Sequence, residues 1–181
     1  MRPPVDLGDG HSFVLVRTHY DDPWAWRSLL DALEEEYARY HCPPPDFLIV
    51  DDPAWAEAAP DEVLAAPPDG GGDVEAVFLA DRRALSEQDR PLLTVHVPVP
   101  GKESRPREET VFRTGLDMVY YVDANLSTGN TDVADFALDA HEAPGGVLCF
   151  ASFFGEDKPQ YPDADPDPHT FSFTPRPLTF D

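Results

Sequence analysis

The sequence has few cysteines, few basic residues and no long apolar run. Two cysteines in 181 residues are too few for a disulfide scaffold, and Cys42 and Cys149 are expected as buried thiols. No apolar run approaches the roughly 20 residues of a membrane span, and the N-terminus has no apolar signal core. The sequence therefore predicts a globular protein of the reducing cytoplasm.

Basic residues are the second deficit. Only 13 Lys and Arg stand against 35 Asp and Glu, which gives a formal net charge of −22. A field of this sign repels phosphate backbones and anionic bilayers, so neither nucleic acid nor membrane is expected as a partner. It favours a basic protein partner or a metal ion; the alternative is that the acidity only keeps the protein soluble.

The chain also lacks the common catalytic motifs. The glycine run at 70–72 has no trailing Lys and Ser or Thr, and it precedes a strand where a phosphate loop needs a helix. There is no Gly-x-Ser-x-Gly elbow, and none of the six histidines pairs with another at metal-ligand spacing. His19 is expected as an exposed turn residue. The sequence thus predicts no catalytic residue.

What the chain does contain is an apolar strand, an acidic turn and a helix, in repeated succession. The clearest case is the strand at 12–18, followed by a helix at 23–41 with one apolar stripe. Such alternation predicts an α/β fold with a mostly parallel or mixed sheet of five or six strands flanked by helices. We expect a flexible N-terminus at 1–11, one domain at 12–154 and an extended, Pro- and Asp-rich C-terminal arm at 155–181.

Acidic turns follow three of the predicted strands. If the strands are parallel, the turns share the carboxyl edge of the sheet, where open α/β sheets bind ligands. A tryptophan follows two of the turns, and it is either a core residue or an interface anchor. The candidate binding residues here are Asp21, Asp22, Trp24, Asp51, Asp52, Trp55 and Asp81.

These aspartates have two interpretations. Asp22, Asp52 and Asp81 could together hold Mg²⁺, whose preference for oxygen ligands suits carboxylates. Alternatively, each accepts the unpaired N–H groups at the start of its own helix. Proline at the next position, Pro23 or Pro53, favours the capping interpretation for two of them.

A polar segment at 125–132 is a second candidate surface. Asn125 and Asn130 either close a turn by local hydrogen bonds or present donors and acceptors to a partner. Turn closure is favoured.

Several of these motifs together resemble a family of small acidic proteins of unknown function common in actinobacteria. The motifs are Val16-Arg17-Thr18 with Asp21-Asp22 and Trp26, Val50-Asp51-Asp52-Pro53, Leu79-Ala80-Asp81-Arg82, and Asn125-Leu126-Ser127 with Asn130, Asp132, Asp135 and Phe136. The likeness covers about residues 12–150. It implies no reaction, cofactor or catalytic residue.

The leading functional hypothesis is a non-enzymatic binding protein, comparable to an immunity protein or antitoxin, that engages a basic partner through the acidic strand ends. One alternative is a Mg²⁺-dependent phosphoryl-transfer enzyme or receiver-like module that uses the strand-end aspartates. Another is an accessory protein of a larger assembly that docks through its aromatic C-terminal arm.

Overall fold

The computed structural model of the protein describes residues 13–39, 47–65, 74–98, 101 and 104–155. These residues form a six-stranded mixed sheet and six helices, which confirms the predicted α/β fold. In chain order the elements are β1 Phe13–Arg17, α1 Pro23–Arg39, β2 Phe47–Val50, α2 Pro60–Leu64, β3 Ala76–Ala80, α3 Arg82–Ser86, β4 Leu92–His96, β5 Val111–Thr114, α4 Val119–Ser127, α5 Val133–Glu142, β6 Val147–Leu148 and α6 Phe150–Phe154. None of the helices in these ranges is long and apolar enough to cross a membrane.

The strand order is β2-β1-β3-β4-β5-β6. β1 is parallel to β2 and β3, β4 is antiparallel to both of its neighbours, and β5 is parallel to β6. A parallel return needs a crossover of a dozen or more residues. The connection from β3 to β4 holds only the five-residue α3, so β4 turns back. All strands except β4 therefore end at one edge of the sheet, here called the carboxyl edge; the opposite one is the amino edge.

Both faces of the sheet are covered, which explains why β1 and β3 are apolar without alternation. Phe13 and Leu15 lie in the larger cluster, packed under α1, α4 and α5. Val14 and Val16 lie in a second cluster on the other face, together with Trp55 and residues of α2. Successive side chains of β1 thus pack into the two hydrophobic clusters on opposite faces of the sheet, and all five residues are buried.

The ends of α4 and of β6 follow from the packing of nearby side chains. α4 continues to Ser127 and includes Asn125, the first residue of the segment for which we favoured a turn, because Val122 and Leu126 bury one helical face. The last strand ends at Leu148, since the aromatic residues after it form α6 and pack against each other. The predicted N-terminal and C-terminal extensions lie outside the described residues, apart from Gly155.

The carboxyl group of Asp123, on α4, lies against Tyr37 of α1. The Tyr37 hydroxyl donates a hydrogen bond to Asp123 Oδ2 at 3.4 Å. Burial raises the pKa of Asp123 from its ordinary 3.8 to about 7, although the Tyr37 hydrogen bond acts in the opposite direction. Between these two values the folded protein holds a proton that the unfolded chain has lost. Stability is therefore expected to fall as the pH rises from about 4 to about 7.

Asp123→Asn is expected to remove this pH dependence and to stabilise the protein by about 2 kcal/mol near pH 8, because asparagine still accepts from Tyr37 and carries no charge. Urea denaturation at about pH 5 and about pH 8 measures the effect. Asp139→Asn, on the exposed face of α5, is the control for the general loss of negative charge. The same stability difference between the two pH values in the wild type and in Asp123→Asn would contradict this assignment.

Candidate functional site

The fold brings the three acidic turns to one edge of the sheet. β2, β1 and β3 are adjacent and parallel, so the turns that begin at Asp51, at His19 and at Asp81 all lie at the carboxyl edge. The sequence-based expectation that these aspartates share an edge therefore agrees with the sheet topology.

The second aspartate of each pair, and Asp81, cap the helical turns that follow. Asp22 Oδ1 accepts hydrogen bonds from the backbone N–H groups of Trp24 and Ala25, each at 2.9 Å. Asp52 Oδ1 accepts from Ala54 N at 2.8 Å. Asp81 Oδ1 accepts from Ala84 N at 3.2 Å. The capping interpretation is confirmed, and it extends to Asp81.

The magnesium alternative finds no support in the residues described. Within those ranges no group of three or more His, Cys, Asp or Glu is arranged to hold a metal ion. Asp22, Asp52 and Asp81 each point a carboxylate at the start of a different helical turn. One oxygen of each carboxylate therefore accepts from a local N–H group, and the three carboxylates do not form a group that could hold a metal ion.

A doubly wound sheet leaves a ligand-binding crevice where neighbouring strands send their connections to opposite faces. Here the helix after β1 packs on one face, and the turn after β2, which holds Trp55, packs on the other. The crevice should therefore lie between the carboxyl ends of β1 and β2.

The side chain of Arg17, the last residue of β1, fills this crevice. Arg17 is 6% exposed, and its guanidinium lies 4.3 Å from the ring centre of Tyr20 and 5.3 Å from that of Trp26. It donates hydrogen bonds to His19 O at 3.0 Å and to Asp51 Oδ1 at 3.2 Å. The protein's own cation thus occupies the place where open α/β sheets take a ligand.

Asp51 is the anion that completes this arrangement. Its second oxygen, Oδ2, accepts from Trp26 Nε1 at 2.9 Å, so one carboxylate joins β2 to both β1 and α1. The Tyr20 hydroxyl donates to Arg17 O at 3.1 Å. Burial, reinforced by the charge of Asp51, raises the pKa of Tyr20 and keeps the phenol a donor. Asp51 therefore has a structural role.

His19 is buried, and the expectation of an exposed turn histidine was wrong. Its Nδ1 lies 3.2 Å from Glu57 Oε1, and its Nε2 lies 3.7 Å from Asp21 Oδ2. Glu57 has a φ of 55° and is held there by its N–H, which donates to Thr18 O at 2.7 Å. His19 thus connects two carboxylates whose side chains remain about three quarters exposed, 75% for Asp21 and 74% for Glu57.

The two candidate tryptophans differ completely in their exposure to solvent. Trp55 is fully buried in the second core and is not available to a partner. Trp24 is 84% exposed, because Trp26 two residues later takes the buried position on the first turn of α1. We call the surface formed by Asp21, Asp22, Trp24 and Glu57 the acidic patch.

Cations limit the acidity of this edge. Arg113 on β5 binds both oxygens of Asp81, at 2.9 and 2.5 Å, and this pair is largely buried. Arg82 lies 3.5 Å from Asp21 in an exposed pair, which contributes little. Asp81 is thereby neutralised, and the negative potential of the edge comes mainly from the acidic patch.

Asn125 and Asn130 lie away from the acidic patch. Asn125 Nδ2 donates to Tyr121 O at 2.7 Å, and the backbone carbonyl of Asn125 accepts from Asn130 N at 3.0 Å. The turn that they close, at 127–129, lines a cavity together with Glu75, which precedes β3, and Val111, which begins β5. The polar segment therefore belongs to the amino edge, and the Asn125 side chain makes the kind of local hydrogen bond that the favoured interpretation expects.

The fold and these contacts can be set beside known proteins. A family model described as a domain of unknown function (DUF6924) matches residues 12–148, from β1 to the end of β6. Comparison with curated proteins and with solved structures finds no match.

Arg17→Met is expected to destabilise the protein by about 3 kcal/mol, because it leaves the Asp51 carboxylate without its buried counterion. Arg17→Met combined with Asp51→Asn should recover part of that loss, since it removes the uncompensated charge. Urea denaturation of the two variants measures this coupling. Arg82→Met, which breaks the exposed pair with Asp21, is the control and should change stability by less than about 0.5 kcal/mol. Equal effects of Arg17→Met and Arg82→Met would show that Arg17 is not a structural centre.

Proposed function

The chain belongs to the DUF6924 family, a domain of unknown function, and we propose that it is a non-enzymatic cytoplasmic protein that binds a basic protein partner through the acidic patch. The observation that carries this proposal is the position of Trp24. Exposing a large apolar ring to water is unfavourable, yet Trp24 is 84% exposed and follows the exposed Asp21 and Asp22, with only Pro23 between them. Tryptophan is enriched among the residues that dominate binding energies at protein interfaces.

The filled crevice supports a macromolecular partner. Arg17, Tyr20 and Trp26 pack together near the ends of β1 and β2, so these side chains take up space that a small ligand would need there. The groups that face solvent at this edge include the carboxylates of Asp21 and Glu57. A surface of exposed carboxylates around an aromatic side chain is suited to Lys and Arg side chains of another protein.

The charge of the whole chain supports the same direction. A formal charge of −22 attracts a basic partner over long distances and makes association fast and sensitive to salt. The acidic surface continues along α1, where Asp31 and Glu35 are exposed. An immunity protein or antitoxin that neutralises a basic toxin has this combination of small size, strong acidity and a compact contact surface, and we propose that class of function.

Trp24→Ala is expected to abolish capture of the basic partner from an extract of the native host, because it removes the apolar anchor and leaves the charges in place. Leu138→Ala is the matched control, since Leu138 is also exposed, at 57%, but lies on α5. Immobilised wild type and both variants would be compared at low and high salt, with mass spectrometry of the retained proteins.

The proposal predicts a basic protein that the wild type and Leu138→Ala retain at low salt and that Trp24→Ala loses. High salt should weaken its retention by the wild type. If Trp24→Ala retains the same basic proteins as the wild type, the acidic patch is not the contact surface. Retention of no basic protein by the wild type at low salt would contradict the proposed function itself.

A further inference from the structure

A cavity of about 800 Å³ lies at the amino edge, across the sheet from the acidic patch. Its walls come from α2, the end of β4, the segment 104–111, and the turn between α4 and α5. This volume is within the range of small-molecule sites, which is about 300–1,000 Å³. The cavity does not depend on the proposed protein-binding function, because it uses none of the residues of the acidic patch.

The cavity combines an apolar lining with charges of both signs. Its apolar lining comes from Leu64, Val111, Leu126 and Val133. The acidic residues that line it are Asp61, Glu75 and Asp132, and the basic residues are Arg105 and Arg107. His96 also lines the cavity, and its Nε2 lies 3.7 Å from Glu75 Oε2. With three carboxylates against two arginines, the cavity is far closer to charge balance than the whole chain, which has 13 basic residues against 35 acidic ones.

The two arginines are held very differently. Arg105 binds both oxygens of Asp132, at 2.5 and 2.8 Å, and Asp132 also caps α5 through Ala134 N at 2.9 Å. The Arg105 hydrogen bond, reinforced by the Ala134 N–H, lowers the pKa of Asp132 to about 2, so this pair stays ionised. Arg105 is therefore held in the cavity wall by Asp132.

Arg107 has a weak partner. Its Nη1 lies 3.4 Å from both oxygens of Asp61, and the two side chains are 57% and 82% exposed. Exposed ion pairs with such geometry contribute little to stability, so separating these two groups costs little. A ligand that offers a carboxylate to Arg107 and an ammonium group to Asp61 would replace one weak ion pair by two.

We propose that this cavity binds a small zwitterion of the amino acid or short peptide class, with Arg107 binding the carboxylate and Asp61 the ammonium group. The presence of one weakly paired cation and one weakly paired anion favours a zwitterion over a ligand with a single charge. A simple anion would leave Asp61 unpaired and would meet the repulsion of the acidic chain, and a simple cation would leave Arg107 unpaired. The apolar side chains of the cavity are suited to the aliphatic part of such a ligand, and the hydroxyl groups of Ser127 and Thr128 line the same space.

The test uses the full chain, labelled with nitrogen-15, and titrates it with free L-amino acids and with dialanine. Propionate and ethylamine are the single-charge controls. Arg107→Ala and Asp61→Asn remove one charge each from the proposed site. Arg83→Ala is the matched control, because Arg83 forms an exposed pair with Glu87 on α3, outside the cavity. Thermal unfolding of each variant establishes that it is folded.

The proposal predicts saturable shifts of the backbone amides at 127–133 with at least one zwitterionic probe, and affinities at least about tenfold weaker for propionate and ethylamine. Arg107→Ala and Asp61→Asn should each weaken binding by about tenfold or more, and Arg83→Ala should leave it unchanged. Three results would overturn the proposal: no zwitterionic probe produces saturable shifts at 127–133, propionate binds as tightly as the amino acids, or both charge-removing variants bind like the wild type.

Discussion

The buried guanidinium of Arg17 is the interaction on which the rest of the carboxyl edge depends. It lies between two aromatic rings and donates to Asp51, and the same carboxylate accepts from the Trp26 indole. One charge pair thereby fixes the ends of β1 and β2 and the first turn of α1 relative to each other. Such a pair is costly to break, because either partner left alone would be an uncompensated charge in a poorly solvated place.

This arrangement explains why the two edges of the sheet differ. At the carboxyl edge the usual crevice is filled from within, so the exposed groups there form a surface of carboxylates around Trp24. At the amino edge, the turn after α4 and the segment 104–111 line a cavity that carries both positive and negative side chains. We therefore propose a macromolecular partner for one edge and a small ligand for the other.

Strands and helix caps could be predicted from the sequence where they depend only on residues close together in the chain. The strands β1, β2 and β3 follow from uninterrupted apolar runs, and the caps at Asp22 and Asp52 follow from the proline after each. The continuation of α4 through Asn125 was missed, because the polar composition of the segment outweighed the helical spacing of its apolar residues. The burial of His19 was missed because its neighbours in space, Glu57 among them, are remote in sequence.

The sequence by itself determined the fold class, the net charge and the positions of the acidic turns, since these depend on composition and on short-range periodicity. Only the tertiary structure decided which of these residues face solvent. Trp24 and Trp55 follow similar acidic pairs, yet one is 84% exposed and the other is fully buried, because α1 buries Trp26 in place of Trp24, whereas the turn after β2 packs Trp55 into the second core. Likewise Arg17 became an internal counterion only when β2 placed Asp51 beside it, a pairing across 34 positions of the chain that no local pattern encodes.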